Sequence, residues 1–290
     1  MKIFFCVFIV WLTCSNLTFG QSRFDKVEIK TIKVADGLYV MMGDGGNMGL
    51  SIGQDGVFLI DDQYAPLSPK IIEAIAKLTD KKIHFIFNTH YHDDHTGGNE
   101  NLGKMNIDIV AHEDVYKRLS HKLQKEGLPI ITFNDQLSFH MNGLNIRSKF
   151  YAHGHTDSDS VIYFDNKNVI HMGDLFENSG YPYIDLEASG SFIGIINALE
   201  DILKNIDNTT IIIPGHGLIA NKDDLKTYSD TLKEIYNLLL PLAKNKISIE
   251  EVVKLNLLEK YNERWGHGDI RPQTFLKIAY ASILNKVNNQ

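Results

Sequence analysis

The chain is 290 residues long, carries a formal net charge of −7 at pH 7, and has two cysteines, Cys6 and Cys14. That length can bury a sizeable core. A negative balance repels polyphosphate, which speaks against nucleic acid as a partner. Met1-Lys2 is followed by an apolar stretch from Ile3 to Leu12, then a polar patch and Leu17-Thr18-Phe19-Gly20. The apolar segment is too short to span a bilayer, and a small residue precedes a plausible cut. Residues 1–20 are therefore expected to be a signal peptide removed after Gly20, with a periplasmic or secreted product. Acylation at Cys14 as a lipoprotein is the alternative, but Trp11 and Thr13 make a poor lipid-attachment signal. Cleavage removes both cysteines and takes the charge to −8 with the loss of Lys2. The thiol-free mature chain suits an oxidising compartment.

Residues 21–290 contain no Pro/Ser-rich linker, low-complexity tract or tandem repeat, so one domain is expected. Apolar patterning predicts strands at about 27–34, 38–42, 47–53 and 56–61, then a helix at 68–79. Strand 83–88, helix 98–103, strand 107–111 and helix 113–125 follow. Strands come next near 136–140, 144–151, 160–164 and 168–172, the last two joined by the turn Asp165-Asn166-Lys167-Asn168. A helix over about 189–206 and strand 209–213 lead to a helical remainder. There Leu225, Tyr228, Leu232, Ile235, Tyr236 and Leu239 recur at helical spacing, as a core-facing stripe does.

Chemistry concentrates where strand 83–88 ends. His90-Tyr91-His92-Asp93-Asp94-His95 places three imidazoles and carboxylates within six residues. Neutral imidazole and carboxylate are ligands that borderline divalent metals prefer. His90 and His92 are two apart and point the same way in extended backbone. Asp94 and His95 follow after the chain turns and can face a second point, so two adjacent metals are the natural reading. Three later strands end in glycine-flanked candidates: His153-Gly154-His155-Thr156, Gly173-Asp174, and Pro214-Gly215-His216-Gly217. The remaining histidines, His84, His112, His121, His140, His153, His171 and His267, read as ordinary polar residues.

In this order, H-x-H-x-D-H at 90–95, G-H-T at 154–156, G-D at 173–174 and P-G-H at 214–216 resemble the metallo-β-lactamase superfamily over nearly the whole mature chain. The resemblance implies an α/β, four-layer αββα sandwich with its metal site at the edge between two sheets. It makes His90, His92 and His155 ligands of a first zinc, and Asp94, His95 and His216 ligands of a second. Asp174 would bridge the two. His155 is chosen over His153 because it matches G-H-T, and Asp93 is filler. Asp61 matches the acidic residue that supports a ligand from behind, a part its neighbour Asp62 could take instead. Two zinc ions per chain are expected, although oxygen and imidazole ligands also admit iron or manganese.

That ligand set implies an enzyme whose metal-held hydroxide attacks the carbonyl of a small ester, lactone, thioester or cyclic amide, with Asp94 as acid/base. The full set is similar to that of glyoxalase II. Hydrolysis of β-lactam antibiotics is the alternative, favoured by export but opposed by Asp174, since dedicated β-lactamases typically lack a bridging carboxylate there. A phosphodiesterase, a nuclease or a non-catalytic zinc protein fits less well. The expected partner is a small molecule, with no nucleic acid and no stable membrane insertion after leader removal. The segment Leu175–Asp185 and the loop Gly43–Met48 are candidate pocket walls; substrate contacts and oligomeric state stay open.

Overall fold

Val57-Phe58-Leu59-Ile60 is apolar at every position rather than at alternate ones, because both faces of its strand are buried. The computed structural model describes residues 22–288, so the expected leader, its cut after Gly20 and Cys14 lie outside the described residues. Seven strands form the first sheet in sequential order: β1 (Lys30–Ala35), β2 (Leu38–Met42), β3 (Met48–Gly53), β4 (Gly56–Ile60), β5 (Ile83–Asn88), β6 (Asp108–His112) and β7 (Ile131–Phe133). Strands β1 to β4 run antiparallel, and β4 to β7 are parallel. The second sheet contains β8 (Gln136–Met141), β9 (Leu144–Phe150), β10 (Ser160–Phe164), β11 (Val169–His171) and β12 (Ile211–Ile213). Its first four strands are an antiparallel meander, and β12 joins β11 in parallel.

The strand period sorts side chains into layers. Phe58, Ile60, Phe87 and Val110 point inward and meet Ile146, Ile162, Phe164 and Ile213 of the other sheet. Their neighbours Val57, Leu59, Ile86 and Ile109 point outward, under α1 (Ser68–Ala76). On the far side Val161, Tyr163, Ile170 and Ile212 are covered by helices. The result is the four-layer αββα arrangement. Each fully buried Val, Leu, Ile or Phe contributes roughly 1.5–3 kcal/mol relative to exposure.

The remaining helices are α2 (Asp93–Thr96), α3 (Asn99–Gly103), α4 (Glu113–Leu119), α5 (Phe192–Asn205), α6 (Lys222–Lys244), α7 (Ile249–Lys254), α8 (Asn262–Trp265) and α9 (Pro272–Asn288), and the three long ones, α5, α6 and α9, all lie in the second half. The helical stripe of 222–246 is buried as expected at Leu225, Tyr228, Leu232, Ile235 and Leu239. Among the described residues no helix is long and apolar enough to cross a membrane.

Several boundaries differ from the sequence reading. The helix expected over 113–125 stops at Leu119, and a separate 3₁₀ turn, Lys125–Gly127, follows. The helix expected from 189 starts at Phe192, because Ser189 is left-handed (φ 57°) and Ser191 caps Gly194 N–H through its hydroxyl. Strand β7 was not anticipated. It is three residues at the sheet's edge, with Ile131 exposed, too short to show a period. Helix α2 lies inside the histidine motif and is four residues long.

Candidate metal centre

Five strand ends deliver the site to one edge of the sandwich. β4 runs into Asp61, β5 into His90–His95, β9 into the turn holding His155, β11 into Asp174, and β12 into His216. Ser160 N–H donates to Thr89 O across the two sheets at 2.9 Å, locking these ends together.

Two groups of donor atoms converge there. His90 Nε2 and His155 Nε2 lie 3.1 and 2.9 Å from His92 Nδ1. Asp174 Oδ2 closes this first group at 3.8 Å from His90 Nε2 and 3.6 Å from His155 Nε2. In the second group, Asp94 Oδ2 is 3.2 Å from His216 Nε2 and 3.5 Å from His95 Nε2. Asp174 reaches this group too, with Oδ1 3.1 Å from His95 Nε2 and Oδ2 3.4 Å from His216 Nε2. Its carboxylate therefore stands between both groups. For bonds of about 2.0–2.1 Å, the edges of a tetrahedron of ligands are roughly 3.3 Å long, close to these spacings.

Three ring nitrogens facing one point cannot all be hydrogen-bonded to one another, since each proton serves one pair. His95 Nε2 and Asp174 Oδ1 are buried without a well-aligned hydrogen bond, a costly arrangement unless a cation lies between them. The donor set fits divalent metal.

Four of the five rings, those of His90, His92, His95 and His155, are held from behind. Asp61 is buried and left-handed (φ 59°). It accepts from Thr89 N–H at 2.8 Å, from the Thr89 hydroxyl at 2.9 Å and from His95 Nδ1 at 2.7 Å. The Thr89 hydroxyl lies 3.0 Å from His90 Nδ1, so Asp61 braces both halves. Asp62 does not take that part: its carboxylate accepts Gly98 N–H at 2.8 Å, away from the rings. His155 Nδ1–H donates to Tyr183 O at 2.9 Å, turning Nε2 inward.

One supporting residue escaped the sequence. Asp185 Oδ2 lies 3.0 Å from His92 Nε2 and also accepts the Tyr91 hydroxyl, while Oδ1 accepts Glu187 and Ala188 N–H at 3.1 and 3.0 Å. Burial alone would raise its pKa, but the bonds from His92 and Tyr91 hold it well below the usual carboxylate range. It fixes the one histidine that turns Nδ1 inward.

Gly46 packs on His95, where a Cβ would lie 2.1 Å from Cε1, and its N–H donates to Asp94 O at 3.1 Å. A Cβ on Gly215 would meet Asp174 Oδ1 at 2.0 Å. The loop Gly43–Met48 thus abuts the second group. Within Leu175–Asp185 the aromatics divide. Tyr181 is core, stacked on Phe275 at 4.6 Å, and Phe176 is buried against Tyr228. Tyr183 alone among them turns out to solvent, its ring 6.0 and 5.9 Å from those of His92 and His155.

The electrostatics divide the site the same way. Burial pushes His90 and His155 down, the latter to about 4, leaving neutral imidazoles. Burial acts likewise on His95 and His216, but the charges of Asp174 and Asp94 outweigh it; His216 is pushed up to about 10 and His95 well above its usual value. Burial would raise Asp174, yet the charges of His95 and His216 hold it well below the usual range. Without metal, protons occupy the second group. The field there calls for positive charge.

The other histidines are placed elsewhere. His84, His121, His140, His153 and His267 are exposed, and His153 bonds Ser189 O at 3.2 Å. His171 is buried and donates Nε2–H to Asn47 O at 2.9 Å, and His112 stacks on Phe150 at 3.8 Å.

Residues 42–216 match the sequence profile of the metallo-beta-lactamase superfamily. The chain belongs to that superfamily. Its members are hydrolases, and the chain is a metallo-hydrolase with a His/Asp cluster of metal-ligand type. It is similar to a type 2 metallo-beta-lactamase of Bacillus cereus, 22% identical over 179 residues, which are 61% of this chain and 69% of that protein. It is also similar to a hydroxyacylglutathione hydrolase of Pelagibacter ubique, 32% identical over 148 residues, 49% of this chain and 56% of that one. The fold matches a metallo-beta-lactamase from Pontibacter korlensis with a TM-score of 0.62 at 17% identity, covering 71% of this chain and 99% of that one.

Proposed function

We propose that this metallo-hydrolase is an exported binuclear zinc enzyme that opens a small ester, lactone, thioester or cyclic amide at its carbonyl. The observation that carries the reading is the position of Asp174 between two complete donor groups. His90, His92 and His155 would hold one zinc, Asp94, His95 and His216 the other, with Asp174 shared. Zinc held there would supply a water of lowered pKa, about 7, and polarise a carbonyl oxygen.

The chain's own residues supply the rest. The Asp94 side chain is a fifth exposed, with Oδ2 beside the His216 ring, placed to hold the nucleophile's proton and return it to the leaving group. Asp61 and Asp185 keep the imidazoles oriented, so that neither proton transfer nor charge development requires the rings to move.

Similarity to hydroxyacylglutathione hydrolases supports thioesters, although the proposed export argues against an intracellular glutathione substrate. Similarity to the Bacillus cereus lactamase favours β-lactam hydrolysis as the second reading. Against it stands the Asp174 carboxylate, which lowers the effective positive charge at the site. The test is a panel of chromogenic cephalosporin, lactone, thioester, carboxyl-ester and phosphodiester substrates, with and without chelator. Ester or thioester turnover lost in Asp94→Asn supports the proposal. Cephalosporin turnover alone would favour the second reading, and phosphodiester turnover alone would overturn both.

A further inference from the structure

The segment before β1 is tied down. Lys70 Nζ donates to the carbonyls of Phe24, Asp25 and Val27 at 2.9, 2.8 and 2.7 Å. An ammonium saturated by three backbone carbonyls fixes a chain segment rather than merely brushing it. Phe24 packs on Tyr64, with ring centroids 5.3 Å apart. The Arg23 guanidinium lies over both rings at 4.6 and 4.8 Å. It also pairs with Asp44, Nε to Oδ2, at 3.3 Å.

Asp44 and Tyr64 connect this cation to the metal centre. Asp44 precedes Gly45 and Gly46, and a Cβ on Gly45 would touch Asp94 O at 2.9 Å. Tyr64 follows Gln63, whose side-chain amide donates to Gly46 O at 2.7 Å. The Tyr64 hydroxyl, together with the charges of Asp44 and Asp94, holds Arg23 above the ordinary arginine pKa. The Arg23 side chain is thus about three-fifths exposed, its guanidinium over two aromatic rings and paired with Asp44, next in the chain to the glycines that touch Asp94 O and the His95 ring.

We propose that Arg23 binds an anionic group of the substrate, so that the enzyme prefers acyl compounds carrying a carboxylate near the scissile carbonyl. This rests on the carbonyl-hydrolase reading above. A guanidinium offers five donors, and Asp44 is met through Nε, leaving the terminal nitrogens uncommitted to that carboxylate. Such a fork grips a carboxylate bidentately, and stacking on Phe24 and Tyr64 removes much of the side-chain freedom that binding would otherwise cost.

The experiment uses the zinc-loaded protein and two matched substrates, 4-nitrophenyl hydrogen succinate and its neutral methyl ester. Arg23→Ala should raise KM for the acid about tenfold or more, with kcat within about twofold, and leave the methyl ester unchanged. Arg23→Lys should fall between, because an ammonium lacks the fork. Calorimetric binding of succinate should weaken by the same factor in Arg23→Ala, at unchanged zinc content. Equal KM for both substrates in both proteins, with unaltered succinate binding, would overturn the assignment. Were neither ester cleaved by the parent protein, the ester branch of the carbonyl-hydrolase reading would fail, and succinate binding would still decide the role of Arg23.

Discussion

Replacing Asp185 by asparagine keeps the size of the side chain and the Oδ1 bonds to Glu187 and Ala188 N–H, so the turn over 186–188 should stay folded. What changes is the atom facing His92. The carboxylate Oδ2 accepts from His92 Nε2–H at 3.0 Å and from the Tyr91 hydroxyl. An amide nitrogen there would donate, so His92 relaxes by moving its proton to Nδ1. Nδ1 is the atom that faces His90 Nε2 and His155 Nε2 at 3.1 and 2.9 Å, and a proton on it opposes metal. Losing a partner of this kind typically costs 10–100-fold in metal affinity, about 1.4–2.7 kcal/mol. The loss should fall on the first position only, since Asp94, His95 and His216 make no contact with Asp185. Competition with a chromophoric chelator, followed by cobalt substitution to read each position's spectrum, separates the two. Tyr91→Phe removes one bond to the same oxygen without altering the tautomer, and should cost about 0.5–1.5 kcal/mol or less. Equal weakening of both positions, or none in Asp185→Asn, would refute the reasoning.

Other outcomes follow from the same geometry. Asp61→Asn should weaken the second position by at least about tenfold, because His95 Nδ1 and the Thr89 hydroxyl lose their common acceptor; metal titration reads it. Gly46→Ala should expel or distort the second metal, since its Cβ would overlap the His95 ring, and zinc content by mass spectrometry should drop toward one per chain. For the metal-free protein, His155 is depressed to about 4, so its contribution to stability is present above about pH 6.5 and lost as pH falls toward 4. His216 is raised to about 10, so its contribution is complete below about 6.5 and lost as pH rises toward 10. Thermal unfolding in chelator should therefore peak near neutrality, and zinc should flatten the alkaline limb by replacing those protons; a monotonic profile would contradict this.

The sequence disclosed what is local. The donors of 90–95 sit in one run, and strands such as β4 and β10 show their burial as unbroken apolar character. The choice of His155 over His153 rested on a motif; in the fold His155 is buried, whereas His153 is exposed with φ 55°. Asp61 and Asp62 could not be told apart from spacing, because the left-handed backbone at Asp61 decides which carboxylate turns to His95. Asp185 was illegible as a support, since its contact to His92 spans 93 residues and carries no local pattern. Tyr181 and Tyr183 look alike in sequence, yet only packing against Phe275 separates the core residue from the exposed one. Arg23 gave no signal, because Tyr64 and Asp44 reach it from separate segments and Lys70 pins the residues that follow it from a third.

The central claim is that Asp174 joins two metal positions. Metals per chain, measured by mass spectrometry after zinc reconstitution of residues 21–290, test it most directly beside an Asp174→Asn variant. The account predicts close to two zinc ions in the parent protein and weakened binding at both positions in the variant. Fewer than one metal per chain in the reconstituted parent would contradict it.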